Sequence, residues 1–404
     1  MALAQGVSKQ SRWKRQTVKG TLAGITGGQI LRRETSIFEL AKETYTTESE
    51  ITSTQQLLSN RHGVRTVNGS LSGIFSPGTY SDQLAAVLRR DFVAVAASTG
   101  VSVTIAGAGP YTVTRGAGSY LTDGYKIGMV IRLTVGALNA ANINKNLLIT
   151  GLTATVATVS PVNGVALVPE GPIVTTTITA VGKSTYTPIT GHTNVYYTVE
   201  EWFPDVPASE RNQDVKISSI NLKLPGSGNA GVDISAVGLD QTSSASAYFT
   251  APTAETATGA LVAASGLLFV NGVAQAIVTD LNISIDGKEQ PADGVVGTNI
   301  RPDIFRGKVM ITGSFTAYFD SVSIPDLFRN ETSVALISVL SADTTATSDF
   351  ISLSIPRIDL NTSTPDDGET GLKRTYSFVS EYNAAGGVGL STEQTTLLIQ
   401  DSAA

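Results

Sequence analysis

Few residues in this chain have types and spacing suited to catalysis or metal binding. It contains two histidines, His62 and His192, and no cysteine, which excludes a cysteine–histidine pair and a site of several histidines. Glu200 and Glu201 are adjacent on a predicted strand, so they point to opposite faces and cannot pair as acid and base. The acidic run at residues 366–369 lacks the spacing of a calcium loop. We therefore predict no enzyme activity, no cofactor and no metal.

Two stretches share an alternating pattern of bulky and small residues. They define the predicted strands that would have to position any functional site. Residues 62–75 and 306–319 are 244 positions apart and align without a gap. Bulky residues alternate with small, mostly hydroxylated ones, which predicts strands with one buried and one wetter face. The bulky positions are Val67, Leu71 and Phe75 in the first stretch and Ile311, Phe315 and Phe319 in the second.

The same offset recurs in a predicted turn. It aligns Gly27-Gly28 with Asn271-Gly272, and both dipeptides predict hairpins between alternating flanks. Residues 215–222 also match residues 353–360. In both segments the apolar residues change from one face of the strand to the other midway, which predicts a bulge or bend. Together these matches predict an internal duplication.

Each copy is predicted to carry one short helix after its alternating strand. Ser81 has the residue type of an N-cap and marks the first helix. Ser323 and Pro325 mark the second helix. Leu327 and Phe328 are predicted to anchor that second helix in the core.

The first copy is predicted to contain an inserted module at residues 97–188. Short alternating runs between glycine and asparagine turns predict a small all-β barrel or sandwich there. The other boundaries are a basic arm with the first hairpin at 1–33, the first copy at 34–96 plus 189–240, a linker at 241–258, the second copy at 259–385 and a C-terminal arm at 386–404. The predicted fold class is mainly β: duplicated sandwich or barrel domains, each with one short helix, plus the inserted module.

Charge is distributed unevenly along the chain. Residues 1–33 carry seven basic side chains and no acidic one; since the whole chain has a net charge of −6, the rest carries −13. This asymmetry predicts an arm that docks on an acidic surface, with a solvated tail as the alternative. No apolar core follows the basic residues, as a signal peptide requires. The residues predicted to dock are Lys9, Arg12, Lys14, Arg15 and Lys19.

Several runs resemble the major tail tube protein of tailed bacteriophages, of the siphophage type. The resemblance rests on residues 44–55, on HGVR at 62–65, on VNGSLSG at 67–73 and on residues 76–90, which begin SPGTY. It is strong over residues 32–92, weaker over 124–240, and reaches the second half mainly through the duplication. The inserted module departs from the family at Met129, where an acidic residue is expected.

The resemblance implies a structural virion protein that assembles into stacked rings and forms a hollow conduit for genome delivery. Strands from every subunit would build one barrel wall, to which the six bulky residues above would belong. The implied partners are the chain itself, a tape-measure protein in the lumen, tail terminator and distal tail proteins at the ends, and phage DNA in transit without specific binding; no membrane is implied. The implied location is the phage tail, after synthesis in the host bacterial cytoplasm, and the basic arm is then expected to join successive rings.

Rings of this family are generally sixfold and built from one-domain subunits, so a duplicated chain is expected to close a ring as a trimer with pseudo-sixfold symmetry. Two other classes remain open. One is a virion surface adhesin or decoration protein with β domains, and the other is a hydrolase with an appended β domain. Duplication and a basic arm favour self-assembly over adhesion, whereas hydrolysis needs a convergent polar cluster that the sequence does not show.

Overall fold

The computed structural model describes residues 3–57, 59–164, 166–369 and 371–404. Within them the chain is mainly β, with two short helices, large sheets and one closed barrel. The predicted fold class is therefore confirmed. The physical basis is the abundance of β-branched and hydroxylated residues in alternation, which fits half-buried sheets better than helices.

The first half of the chain contains one sandwich interrupted by a barrel. It opens with β1 (Gln10–Arg15), β2 (Gln29–Ile30), β3 (Thr35–Thr46), β4 (Asn60–Ile74) and the helix α1 (Ser81–Leu88). The barrel consists of β5 (Ser98–Ala106), β6 (Tyr111–Arg115), β7 (Val130–Thr134), β8 (Leu147–Leu152), β9 (Val156–Pro161) and β10 (Glu170–Ala180). The chain then continues through β11 (Lys183–Tyr186), β12 (Tyr197–Phe203), β13 (Ala208–Pro225), β14 (Gly231–Gly238) and β15 (Asp240–Ser244).

The second half contains a second sandwich, and no barrel interrupts it among the described residues. Its elements before the helix are β16 (Val262–Val270), β17 (Val273–Ala274), β18 (Val278–Asp286), β19 (Glu289–Pro291), β20 (Ile304–Arg306) and β21 (Met310–Tyr318). After these come the helix α2 (Ser323–Arg329), β22 (Val334–Ser341), β23 (Phe350–Pro365), β24 (Lys373–Ser380) and β25 (Leu398–Asp401).

The two sandwiches share one pattern of antiparallel strand pairing. The first runs β2-β1-β12-β13-β14-β4-β3. The second runs β17-β16-β22-β23-β24-β21-β18. Each strand of the first therefore has a counterpart in the second, and β4 and β21, which hold the two alternating stretches, occupy equivalent places.

Burial follows the predicted alternation in β4 and β21. Val67 and Leu71 are buried in the core, whereas Asn68 and Ser70 between them are exposed. The prediction is wrong for Phe319, which is 41% exposed. The reason is that β21 ends at Tyr318, so the alternation no longer fixes this side chain, and its ring lies under the Arg374 guanidinium instead.

The predicted bend is present in both long strands. The pairing of β13 with β14 shifts register between Ile217 and Ser219. The pairing of β22 with β23 shifts between Ile355 and Ile358, on either side of Pro356. In β13 the bend carries the strand from the layer of β12 and β15 into the layer of β14 and β18.

Only one of the two predicted tight hairpins is confirmed. Asn271 and Gly272 both have positive φ and join β16 to β17 in a two-residue turn. Gly27 and Gly28 also have positive φ, but they do not form a two-residue turn, because residues 16–28 make a longer loop between β1 and β2. Gly28 instead leaves room for the Phe249 ring, which a Cβ at that position would meet at 3.0 Å.

The two helices begin close to their predicted starts but are held differently. Ser81 is the first residue of α1 rather than its N-cap. A carboxylate from the C-terminal strand β25 holds the start of the helix in place of an N-cap side chain. Asp401 accepts hydrogen bonds from the Gly78 amide at 2.9 Å and from Ser81 Oγ at 2.6 Å. In α2 the buried side chains are Ile324 and Pro325.

The predicted anchors of α2 are thus only partly right. Leu327 is half-buried against the core, but Phe328 is 37% exposed. A helix of seven residues turns only one narrow face to the sandwich, and Ile324 occupies it.

The inserted barrel closes in the order β10-β5-β6-β9-β8-β7 and has its own apolar core. It also packs on the second sandwich: Val130 and Leu148 join a buried cluster with Phe269, Val339 and Phe350. The Gln400 side chain reinforces this contact, because its oxygen accepts from the Val130 amide and its nitrogen donates to the Val130 and Val181 carbonyls. The barrel is therefore an anchored part of the chain.

Candidate assembly surface

The five N-terminal cations predicted to dock on another ring all contact groups of their own chain. β1 pairs with β12 over six residues, which fixes the backbone of this segment. The contacts are Lys9 Nζ to Glu201 at 2.7 Å, Arg12 Nη1 to Glu200 at 3.2 Å, Arg15 Nε to Asp82 at 2.6 Å, Lys19 Nζ to Asp303 at 3.1 Å and Lys14 Nζ to the Gly24 carbonyl at 2.9 Å. A role in ring stacking stays a prediction, and same-chain partners already offset these charges.

Glu200 and Glu201 point to opposite faces of β12, and both are buried. Glu201 accepts hydrogen bonds from Ser11 Oγ at 2.7 Å and Ser36 Oγ at 2.6 Å. Glu200 accepts from the Phe249 amide at 3.1 Å and from the Tyr248 amide. Each carboxylate thus ties β1 to a different neighbour: Glu201 to β3, and Glu200 to the segment that follows β15.

One continuous antiparallel layer runs through both sandwiches, and we call it the eight-stranded layer. Its order is β3-β4-β14-β13-β18-β21-β24-β23, with the second halves of β13 and β23. Within the described residues, β3 pairs only with β4, and residues 359–365 of β23 pair only with β24. Both ends of the layer are therefore open edges.

The two faces of the eight-stranded layer differ in polarity. One face is apolar and buried, and five of the six candidate wall residues lie on it: Val67, Leu71, Phe75, Ile311 and Phe315. The opposite face carries hydroxyl and amide side chains, among them Asn68, Ser70, Asn282, Ser314 and Ser377. The five candidate residues thus lie on the buried side of the layer, and the polar side chains form its free surface.

Within the eight-stranded layer, β13 pairs directly with β18, and we call this contact the internal seam. Seven residue pairs form it, from Ser219 opposite Asp286 to Pro225 opposite Asp280. Sequence reasoning missed this contact because pairing between distant strands leaves no local mark. The sequence did hold one signal for β18 as a strand with a buried face: Leu281, Ile283 and Ile285 alternate with polar residues, and all three are buried.

A buried charge cluster fastens the two sandwiches beside the internal seam. Glu289, in the segment that follows β18, lies 3.2 Å from Lys216 Nζ and 3.3 Å from Arg89 Nη2, both in the first sandwich. Burial raises the pKa of Glu289 and lowers the pKa of Lys216. The strands that face each other are therefore held by side chains as well as by backbone hydrogen bonds.

The residue types suited to catalysis are not brought together. His62 and His192 are both exposed and lie on separate segments, and the acidic run at 366–369 is an exposed turn. Among the described residues, no group of three His, Asp or Glu side chains is placed to hold a metal ion.

The fold and its open edges define a structural β protein whose sheet can be extended by another sheet. A family model described as phage tail tube protein matches residues 8–380, nearly the whole chain, and the chain belongs to this family. Membership makes it a structural protein of the phage tail that associates with itself in a tube. No match was found among curated proteins.

Neither helix in the described part of the chain is long and apolar enough to cross a membrane.

Proposed function

We propose that three copies of this chain close a ring with pseudo-sixfold symmetry, and that such rings stack into the tube through which the phage genome is delivered. The role is structural, without catalysis. The observation that carries the proposal is the eight-stranded layer, which consists of two equivalent groups of four strands joined side by side. One chain thus supplies two neighbouring segments of a wall.

Closure of three such layers would give a barrel of twenty-four strands, eight from each chain. Barrel closure removes open sheet edges, which are otherwise sites of uncontrolled pairing. The buried apolar face leaves the hydroxyl and amide face to line the lumen. That lining would contact the tape-measure protein before ejection and DNA in transit, while tail terminator and distal tail proteins would cap the two ends.

The symmetry of the assembled tube tests this proposal. We expect cryo-electron microscopy to show three chains in each ring, with density for the inserted barrel at every second of six similar positions. The physical reason is that the barrel is present in only one of the two copies. Six chains in each ring would contradict the trimer while leaving the tube intact.

The inserted barrel is proposed to sit outside the wall and to be dispensable for ring closure, because it is absent from the second copy. Ser98 and Ile178 are cross-strand partners, so a short Gly-Ser bridge can replace the segment between them and leave β11 in place. We expect this deletion to preserve rings in negative-stain micrographs and to lower solubility, since it uncovers Phe269, Val339 and Phe350. A folded variant, judged by circular dichroism, that forms no rings would contradict the prediction.

Stacking of rings through the basic N-terminal residues remains part of the proposal. Lys14 and Lys19 are the candidates for this role, because the contacts that their ammonium groups make within the chain lie at the solvent-exposed surface. Arg12, by contrast, is buried against Glu200 and serves the fold of its own chain.

A further inference from the structure

One apolar junction is buried in the first sandwich and exposed in the second. It lies where β4 or β21 ends, just before the helix. Phe75 and Ala230 form the first junction and are 0% and 1% exposed, whereas their counterparts Phe319 and Leu372 are 41% and 48% exposed. In each sandwich the phenylalanine amide donates to the carbonyl of the second residue, at 2.8 Å in the first and 2.9 Å in the second. The two junctions therefore have the same backbone and differ in what covers them.

The first junction is covered by residues 258–261, which we call the strap. The Leu261 amide donates to the Phe75 carbonyl at 3.0 Å, and the Leu261 carbonyl accepts from the Ala230 amide at 2.8 Å. The Leu261 side chain is fully buried. The strap leads directly into β16. The segment that covers the first sandwich is thus the beginning of the second sandwich.

The second junction has no such cover within the part of the chain that the structure describes. There, neither the Phe319 carbonyl nor the Leu372 amide has a hydrogen-bond partner, although both correspond to groups that Leu261 bonds in the first junction. The chain after β24 runs elsewhere, because β25 pairs with the first half of β23 and with β11. Open backbone groups beside exposed apolar side chains are typical of a surface on which another segment docks.

The N-terminal segment holds the place before β1 that the strap holds before β16. The strand pairings of the two sandwiches make Gln10 the counterpart of Leu267. The same spacing makes Gln5 the counterpart of Val262. Gln5 is anchored at the matching place, because its amide donates to Asp205 just beyond β12, as Val262 pairs with the end of β22. Residues 3–4 therefore correspond to the end of the strap.

We propose that residues 3–5 of one chain form the strap over the second sandwich of the preceding chain in the ring, where they cover Phe319 and Leu372. This inference rests on the proposed ring, in which a first sandwich follows each second sandwich. A second copy of the chain is the occupant, because the strap of the first sandwich already comes from the next sandwich along the wall. The second junction is incomplete without the chain that follows it.

The residues of the proposed strap suit this contact. Residues 3–7 are exposed in the single chain, and Leu3 is 79% exposed although it is apolar. Ala4 corresponds to Leu261, so its backbone would bond the open groups of Phe319 and Leu372. Leu3 beside it supplies the apolar side chain, and docking would remove exposed apolar surface from both chains.

Charge supports the same pairing of segments. The β13–β14 turn at residues 226–229 is uncharged, and so are residues 258–266, which pass beside it. The β23–β24 turn instead holds the acidic run at 366–369. The segment before β1 contains Lys9, and the Arg33 side chain donates to its backbone at 2.9 Å. In the proposed contact the acidic turn would therefore lie beside a basic segment, and complementary charge favours that partner.

Paired cysteines test the contact, because the chain has no cysteine of its own. Asn229 and Val262 face each other in an antiparallel bridge within one chain, and their counterparts are Gly371 and Gln5. The test variant is Gln5→Cys with Gly371→Cys, since directly opposite residues have Cβ atoms close enough for a disulfide. The matched control is Asn229→Cys with Val262→Cys. An off-site control is Val18→Cys with Gly371→Cys, because Val18 lies in an exposed loop of the same N-terminal region.

Assembled protein is oxidised with copper phenanthroline and separated on a denaturing gel without reductant. We expect the test variant to give covalent dimers and closed trimers as its main products. The matched control should stay at the mass of one chain with its cysteines linked, and the off-site pair should link only a minor fraction. A ladder that ends at six chains would support the strap and overturn the three-chain ring. A ladder without an end point would show that the segment reaches another ring, which would overturn the strap.

A second variant tests the strap without introduced cysteines. Leu3→Asp places a charge against the Phe319 ring, and we expect it to raise the protein concentration needed for half-maximal ring formation by about tenfold or more, as loss of one buried leucine predicts. Val18→Asp is the matched control, since Val18 is also an exposed apolar residue of the N-terminal region, and it should leave that concentration unchanged. Negative-stain micrographs over a dilution series measure both.

Three results would overturn the strap. One is a cysteine test variant that forms rings but no interchain disulfide, while the matched control forms its own. Another is a test variant whose two cysteines link only within single chains. The third is a Leu3→Asp variant that assembles at the same concentration as Val18→Asp. Failure of the unmodified protein to form any ring would instead overturn the proposed function, so the two failures are distinguishable.

Discussion

Replacement of Glu200 by alanine is expected to lower the free energy of unfolding by about 3–5 kcal/mol, the usual cost of breaking a buried ion pair by removing one partner. Glu200 is fully buried, 3.2 Å from Arg12 Nη1, and it accepts hydrogen bonds from the Tyr248 and Phe249 amides. Without it, a guanidinium and two amides stay buried with fewer acceptors. Urea unfolding of the unassembled chain, followed by circular dichroism, measures the loss.

A matched control separates this effect from the loss of any carboxylate. Glu381 also bonds an arginine, Arg357 at 2.9 Å, but both side chains are nearly half exposed. Glu381→Ala should therefore cost only about 0–1 kcal/mol. A Glu200→Ala variant as stable as this control would show that the Arg12–Glu200 pair contributes nothing to the fold.

The N-terminal residues show a limit of sequence reasoning. The surplus of positive charge before residue 34 is visible in the sequence, and so is the acidic character of the rest. Which carboxylate meets which cation is not visible, because the partners are distant: Arg12 and Glu200, for example, are 188 residues apart. Local pattern therefore indicates that the segment binds an acidic surface but cannot tell whether that surface belongs to the same chain.

Alternation, by contrast, is a local property, and it predicted the strands well. It identified the buried face of β4 and the bends in β13 and β23, because each depends on residues close in sequence. The pairing of β13 with β18 depends instead on how two complete sandwiches meet. The internal seam and the open edges consequently required the structure.

Glycines on the buried face of the layer are a further feature that alternation could not explain. Gly69 lies opposite Phe38 on β3, and Gly313, its counterpart 244 residues later, lies opposite Phe378 on β24. In each case the aromatic ring of the partner strand occupies the space above the glycine. The two sandwiches thus fill equivalent gaps with rings from different neighbours.

Gly313→Val is expected to lower the free energy of unfolding by about 3 kcal/mol, at the upper end of the usual cost of overpacking. A Cβ at this position would overlap both the Phe378 ring and the Asn282 carbonyl oxygen. The ring can rotate, but the carbonyl belongs to β18 and is fixed by strand pairing, so β18 itself would have to shift. The same urea titration of the unassembled chain measures the change.

Gly231→Val is the matched control, because Gly231 also lies in a strand of the eight-stranded layer. A Cβ there would meet Lys223 Cβ at 3.8 Å and the Gly73 carbonyl oxygen at 4.0 Å, which are ordinary contacts. Valine favours strands, so this variant should be as stable as the wild type or slightly more stable. Equal losses in the two variants would show that a general intolerance of β-branched residues, rather than the Phe378 ring and the Asn282 carbonyl, excludes larger residues from position 313.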